Sequence, residues 1–240
     1  MLIELLKIQI KKMANTNFPK QTFQFLKKLK TNNNRPWFTE SKPKFELQVM
    51  QPALGFVEGF GELLSTRFPD IRYDTSRNGS GSMFRIYRDV RYSKDKSPYK
   101  TNLGFVFWTG EGSKKQSPAV YVHVGIEGIQ VFGGQYWMTK TQLDNFREAI
   151  VQPSSGEQFV KIMDKLKKSG VEMVGGLHYK RVPRGFDAEH ARAEWLKYTG
   201  LYVGMPGFSV EDTMAENFGE RALKQAVLIK PLIEWLKKNI

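Results

Sequence analysis

The sequence predicts an α+β fold, a single domain whose central, mostly antiparallel sheet is flanked by N-terminal and C-terminal helices. Three observations predict it. Apolar residues recur at helical spacing through the N-terminal quarter and again after the middle of the chain. Period-two alternation occupies the middle. The links between those middle segments are too short to hold crossover helices, which parallel strands would need. The 240 residues suit one large domain better than two, since a domain usually takes roughly 100–200. That domain is expected over 15–240.

Residues 1–14 read as an extension. Leu2, Ile3, Leu5, Leu6, Ile8 and Ile10 are apolar, and the lysines follow them. A secretory signal has the opposite order. Two readings are open: an amphipathic membrane-surface segment, or a start placed ahead of the natural one at Met13. Asn17 is expected to cap the first helix, with Pro19 in its first turn and Phe23, Leu26 and Leu29 on its apolar face. The polar stretch Thr31-Asn32-Asn33-Asn34 ends it. Trp37 and Phe38 open a second helical region reaching about Phe68. Pro43 and Pro52 lack a backbone donor and must break or kink it.

The period then changes. Gly79-Ser80-Gly81-Ser82 forms a loop before a strand expected over Met83–Tyr92. Further strands are expected over Leu103–Thr109 and Ala119–Ile126, where Val120, Val122, Val124 and Ile126 alternate. Glu127-Gly128 turns a hairpin that returns through Ile129 and Val131. Thr139 and Gln142 have capping-box spacing ahead of Leu143, Phe146 and Ile150. Ser154 and Glu157 repeat that spacing before Phe159, Ile162, Met163 and Leu166. A short extended stretch near Val171–Tyr179 precedes a turn at Pro183-Arg184-Gly185. Asp187 is expected to cap a helix through Tyr198. The tail from about Met214 is helical, and Pro231 kinks it.

Composition excludes several functions. There is no cysteine, so a disulfide scaffold, a thiolate metal site and a cysteine nucleophile are ruled out. No stretch approaches the ~18 consecutive apolar residues of a membrane-spanning helix. Without cysteine or an export signal, the cytoplasm is the expected location. Lys+Arg outnumber Asp+Glu by 37 to 24, a formal charge of +13. That excess suits a phosphate-bearing partner or nucleic acid, and equally a lysine-rich surface.

One polar segment stands out. Phe84 to Lys100 reads FRIYRDVRYSKDKSPYK. It holds six cations, Arg85, Arg88, Arg91, Lys94, Lys96 and Lys100, against the two acids Asp89 and Asp95. On a strand, Arg85, Tyr87, Asp89 and Arg91 share one face, while Phe84, Ile86 and Val90 anchor the other. Guanidinium is a planar fork that holds phosphate through two hydrogen bonds. Asp89 could orient an arginine, and Tyr92 and Tyr99 could stack a base. The competing reading is a salt-bridge ladder on a solvated face. Two other places could assist: Gly133-Gly134-Gln135-Tyr136-Trp137, where backbone N–H groups could meet an anion, and the basic turn around Arg184. Glycines at the first place more often serve a bulge or tight packing.

Catalytic signatures are missing. The sequence has no G-x-x-x-x-G-K-[ST] loop, no H-E-x-x-H pair and no G-x-S-x-G elbow. His123, His178 and His190 lie far apart and show no metal-ligand spacing. No motif calls for a cofactor. His123, opposite the alternating valines, is the candidate general base if the protein is an enzyme.

The run Phe84-Arg85-Ile86-Tyr87-Arg88-Asp89-Val90-Arg91-Tyr92-Ser93-Lys94-Asp95-Lys96-Ser97-Pro98-Tyr99-Lys100-Thr101 resembles the hallmark of the uncharacterised family catalogued as domain of unknown function 2461. Asn34 before Trp37-Phe38, Tyr121 with His123, Gly133-Gly134 before Trp137, Arg147, the Lys180 to Phe186 turn and His190 are similar too. The resemblance covers roughly residues 18–200. Ala191 departs from it, standing where a proline is expected. The resemblance implies a bacterial-type domain and transfers no activity and no catalytic residue.

Three functions are compatible with these residues. The first is binding of a phosphate-bearing ligand, with nucleic acid the natural large candidate. Arg85, Arg88, Arg91, Lys94, Lys96, Tyr99, Lys100 and Arg184 would make the contacts, and Asp89 would orient them. The second is a structural or protein-interaction domain in which the Arg–Asp run stabilises the fold. The third is a hydrolase using His123 with Asp89 or Asp95. Oligomeric state is not legible.

Overall fold

The computed structural model describes residues 16–240, so the expected extension over 1–14 lies outside the described residues. The fold is α+β. Its helices are α1 (Lys20–Thr31), α2 (Arg35–Phe45), α3 (Gln51–Ser65), α4 (Lys140–Val151), α5 (Pro153–Lys168), α6 (Val210–Met214) and α7 (Phe218–Asn239). Its strands are β1 (Ile71–Arg72), β2 (Leu103–Thr109), β3 (Ala119–Gly125), β4 (Gly128–Gln135), β5 (Met173–Leu177), β6 (Tyr198–Gly204) and β7 (Phe208–Ser209). They form one sheet in the order β1-β2-β3-β4-β6-β5, with β7 also paired to β4. The chain packs as two compact units. The first takes the described residues up to Phe107 with Tyr121–Gln130 and Gly207–Leu223; the second takes Trp108–Val120, Val131–Pro206 and Lys224–Ile240.

In the first unit, Pro19 itself is the N-cap of α1 and makes no side-chain cap bond. The expected cap, Asn17, lies too early, and its amide donates instead to the carbonyl of Ala215 at 2.9 Å. Asn34 caps α2, its Oδ1 accepting from the Trp37 N–H at 3.0 Å. Pro43 sits inside α2 without ending it. The helical path then widens into a π turn over Glu46–Met50 and runs on as α3. Pro52 cannot donate to the Gln48 carbonyl four residues back. The buried Thr22 hydroxyl donates to that carbonyl, at 2.5 Å. Phe56 fills the core, its ring 5.0 Å from Phe18, 5.1 Å from Phe60 and 5.2 Å from Phe105.

The strand expected over Met83–Tyr92 is not formed. Only two isolated bridges remain of it, Met83 with Phe105 and Tyr87 with Tyr99. Of the expected apolar anchors only Ile86 is buried; Val90 is half-buried and Phe84 exposed. Side chains of the run bond to one another and to its own carbonyls, which competes with a regular ladder.

In the second unit, the Thr139–Gln142 capping box opens α4, with both reciprocal bonds present. The second expected box is absent. Pro153 takes the first position of α5 behind Gln152, and Ser154 falls inside the helix. Phe159 stands 4.9 Å from both Trp195 and Trp235 in the core. The helix expected from Asp187 to Tyr198 shrinks to a 3-10 turn over Ala193–Lys197. Asp187 instead accepts from the Glu189 N–H at 2.9 Å, closing a local turn. Tyr198 begins β6, a strand the sequence reading omitted. Gly133 and Gly134 belong to β4. A Cβ on Gly133 would stand 2.5 Å from Ile229 of α7, so this glycine serves close packing. Pro231 lies inside α7.

Candidate functional site

The basic run folds as an irregular hairpin in the first unit. Its base is tied to β2: the Phe84 N–H donates to Gly104 at 2.9 Å, and the Val106 N–H donates to Ser82 at 2.9 Å. Its two arms are joined by Lys100 N–H to Ile86 at 2.7 Å and Arg88 N–H to Pro98 at 2.9 Å. The Asn33 amide grips the returning arm, donating to the Tyr99 carbonyl at 2.9 Å and accepting from its N–H at 3.1 Å. Tyr99 does not offer a face to a base. Its ring is buried and stacked 4.0 Å from Phe38.

At the tip, charges pair with each other. Arg91 holds Asp89 through two bonds of 2.9 and 2.7 Å. That fork keeps the Asp89 carboxyl down at about 2. Arg88 pairs with Asp95, which also accepts from the Ser97 backbone N–H at 2.9 Å and its hydroxyl at 2.5 Å. The two Ser97 bonds, with Arg88, hold Asp95 below the usual carboxylate range. Lys96 donates to the Val90 carbonyl at 3.0 Å. Lys94 is exposed, as is Tyr92, which has Arg91 over its ring at 5.9 Å.

Lys100 and Arg85 differ. Lys100 is half-buried, and its ammonium donates to the Arg85 carbonyl at 2.9 Å and sits 5.8 Å above the Phe84 ring. Burial first, then the neighbouring Arg85 guanidinium, lowers its pKa from the usual lysine value. Among the described residues no carboxylate pairs with either cation. Lys100 opens onto a cleft of about 370 Å³ lined also by Phe84, Arg88, Asp89, Asn102, Gly104 and Tyr121. Gly104 admits the Tyr121 hydroxyl, which would stand 2.5 Å from a Cβ at that position. A second cleft, of about 260 Å³, has Arg85, Lys42 and Arg77 around apolar side chains such as Phe38, Phe45 and Met50.

His123 pairs with Asn102, Nδ1 to Nδ2, at 3.3 Å. Burial lowers its pKa, so the neutral ring is favoured. Among the described hydrogen bonds none joins His123 to Asp89 or Asp95, whose oxygens are engaged at the hairpin tip. Arg184 lies in an exposed turn of the second unit. No group of three or more acidic or histidine side chains stands where it could hold a metal, among the described residues. Among them, too, no helix is long and apolar enough to cross a membrane.

Sequence reasoning missed Asn33 and Asn102 as site residues. Asn33 was visible only as part of a polar helix end. Arg147 was also missed as a buried cation. The available signal was a charged residue between Phe146 and Ile150, on the apolar face of α4. The residue is 8% exposed, and its Nη2 has no hydrogen-bond partner.

The chain belongs to the family described as Conserved hypothetical protein (DUF2461), whose model matches residues 21–235. No curated protein matches it.

Proposed function

We propose that the first unit of this family member binds a phosphate-bearing ligand in the cleft beside Lys100. One observation carries the reading: the half-buried Lys100 ammonium lines the cleft with no carboxylate partner of its own among the described residues, since Asp89 at the same cleft is held by Arg91, and it has the Arg85 guanidinium as a like-charged neighbour. Holding two like charges together in a partly desolvated place is unfavourable. An arriving dianion removes that cost and gains charge-assisted hydrogen bonds. Asn102 and the Tyr121 hydroxyl add polar contacts beside Lys100, and Arg88 can share its guanidinium between Asp95 and the ligand. Arg91 is occupied by Asp89 and contributes field rather than a grip.

The test is titration of the full chain with inorganic phosphate and pyrophosphate, followed by calorimetry. Lys100→Met keeps the length of the side chain and removes the charge. The expected result is loss of most of the binding, at least about tenfold, since a charge-assisted bond is worth roughly 1.5–3 kcal/mol. Wild-type affinity in that variant would sink the proposal. A bound anion also stabilises the ammonium, so binding should take up protons at alkaline pH and weaken there before an ordinary lysine would titrate.

A second reading rests on the pairing at the hairpin tip: the run is a network that shapes its own loop. The partners Asp89 and Asp95 are exposed, so this network is a weak contributor to stability. Under the binding reading Arg88→Ala is therefore expected to change the melting temperature little. A steep fall would favour the structural reading over the binding one.

A further inference from the structure

The second unit presents a sheet face of its own. On β6, Leu201 and Val203 are fully buried, and Gly133 opposite Val203 lies under Ile229 and Ile233 of α7. That side of the sheet is filled. The alternate residues point the other way. Tyr202 stands there between Gly134 of β4 and Gly175 of β5. Its ring lies across Gly175, where a Cβ would come within 2.2 Å of Cζ. The absence of a side chain at Gly175 lets the ring lie low over the sheet. Tyr136, just beyond β4, adds a second ring 5.6 Å away and inclined by 31°. It is 82% exposed.

Cations gather at the same end. A Cβ on Gly200 of β6 would stand 2.1 Å from the Tyr136 carbonyl, and the N–H of Tyr179 bonds to the Lys197 carbonyl at 3.1 Å. The turn that follows Tyr179 carries Lys180, Arg181 and Arg184, all exposed and without a carboxylate partner among the described residues. Beneath them, Arg147 lies 5.6 Å from the Tyr179 ring. It donates from Nε to the Leu196 carbonyl at 3.3 Å, while the buried Nη2 has no acceptor. A desolvated guanidinium without a counter-charge is costly, so this end of the sheet calls for an anion.

We propose that this face binds single-stranded nucleic acid, with unpaired bases on the Tyr202 and Tyr136 rings and phosphates on Lys180, Arg181 and Arg184, while the buried Arg147 adds positive field. Flat rings beside unpaired cations meet both demands of such a strand, since bases stack on aromatic faces while the backbone follows positive charge. A neutral sugar would use the rings and leave the cations unanswered. A duplex hides its base faces and would use only the charge. The site is separate from the cleft at Lys100, and neither depends on the other.

The test is fluorescence anisotropy of labelled dT15 and of a 15-base-pair duplex with the full chain. The expected result is tighter binding of dT15. Tyr136→Leu should weaken it by about fivefold to a hundredfold, the range for one lost stacking contact, and Tyr136→Phe should restore it. Because Tyr136 is so exposed, its melting temperature should not change. Arg181→Ala/Arg184→Ala should make the log affinity against log salt shallower by about 1.4. Wild-type binding by Tyr136→Leu, equal binding of the duplex, or no binding of dT15 would overturn the proposal. So would loss of dT15 binding in Lys100→Met, which would place the strand on the first unit.

Discussion

His123 is half-buried, bonded to an amide, and its pKa lies below the ordinary 6.5. Burial disfavours its charged form, so the unfolded chain binds more protons than the folded one between the two pKa values. Stability is therefore complete above about pH 6.5 and is lost as pH falls through the folded value. Melting temperature should drop as the buffer goes from pH 7 to pH 5, and His123→Gln should flatten part of that drop. Identical pH profiles for the two proteins would show that His123 is not the titrating group. At this scale the sequence was informative about residue type and silent about pairing. The cations of the run were all visible, yet which of them faced an acid was not. Asp89 two residues before Arg91 closes a local fork, and Asp95 reaches back to Arg88. Those bonds depend on a loop geometry that no periodicity encodes. Tyr99 looked like a stacking surface and is an anchor, because Asn33, distant in sequence, fixes its backbone.

Elements with one dominant signal were legible. The expected strand Leu103–Thr109 has those same bounds, and the α4 capping box forms as its spacing requires. Elements where two signals competed were misread. The hairpin run alternates like a strand, yet its polar side chains take up its own carbonyls, Val90 by Lys96 and Arg85 by Lys100. In β6, Gly200 and Gly204 dilute the strand signal, and Asp187 upstream mimics a helix cap. Pro52 tells a related story. A proline inside a helical path leaves a carbonyl open, and here Thr22 of α1 closes it. Thr22→Val, which keeps the shape and removes the hydroxyl, should cost about 0.5–1.5 kcal/mol, the net worth of a typical hydrogen bond, since the acceptor is part-buried. Chemical denaturation would measure it, and a change below a few tenths of a kcal/mol would show that the bond contributes nothing.

For the whole molecule, α+β was legible because helix and strand periods occupy separate stretches of the chain. The division into two compact units was not. It arises within strands, and no change of composition marks it. β2, β3 and β4 each place residues in both units. Such continuity should make unfolding a single cooperative event, as expected of one domain over 15–240. A calorimetric enthalpy equal to the van't Hoff enthalpy is the expected outcome. A ratio well above one, or two resolved transitions, would show that the units melt apart. The net charge of +13 is likewise a property of the whole, and it bears on encounter with polyanions rather than on the fold.

The chain passes between the two units after Phe107, Val120, Gln130, Pro206 and Leu223. No single cut of the gene can therefore release either unit intact. A truncation at any of these points leaves each half-product with a torn strand or a missing segment. Deletion mapping, the usual route to assigning a binding activity to part of a protein, would here report misfolding rather than location. The two candidate surfaces must therefore be separated by point substitution.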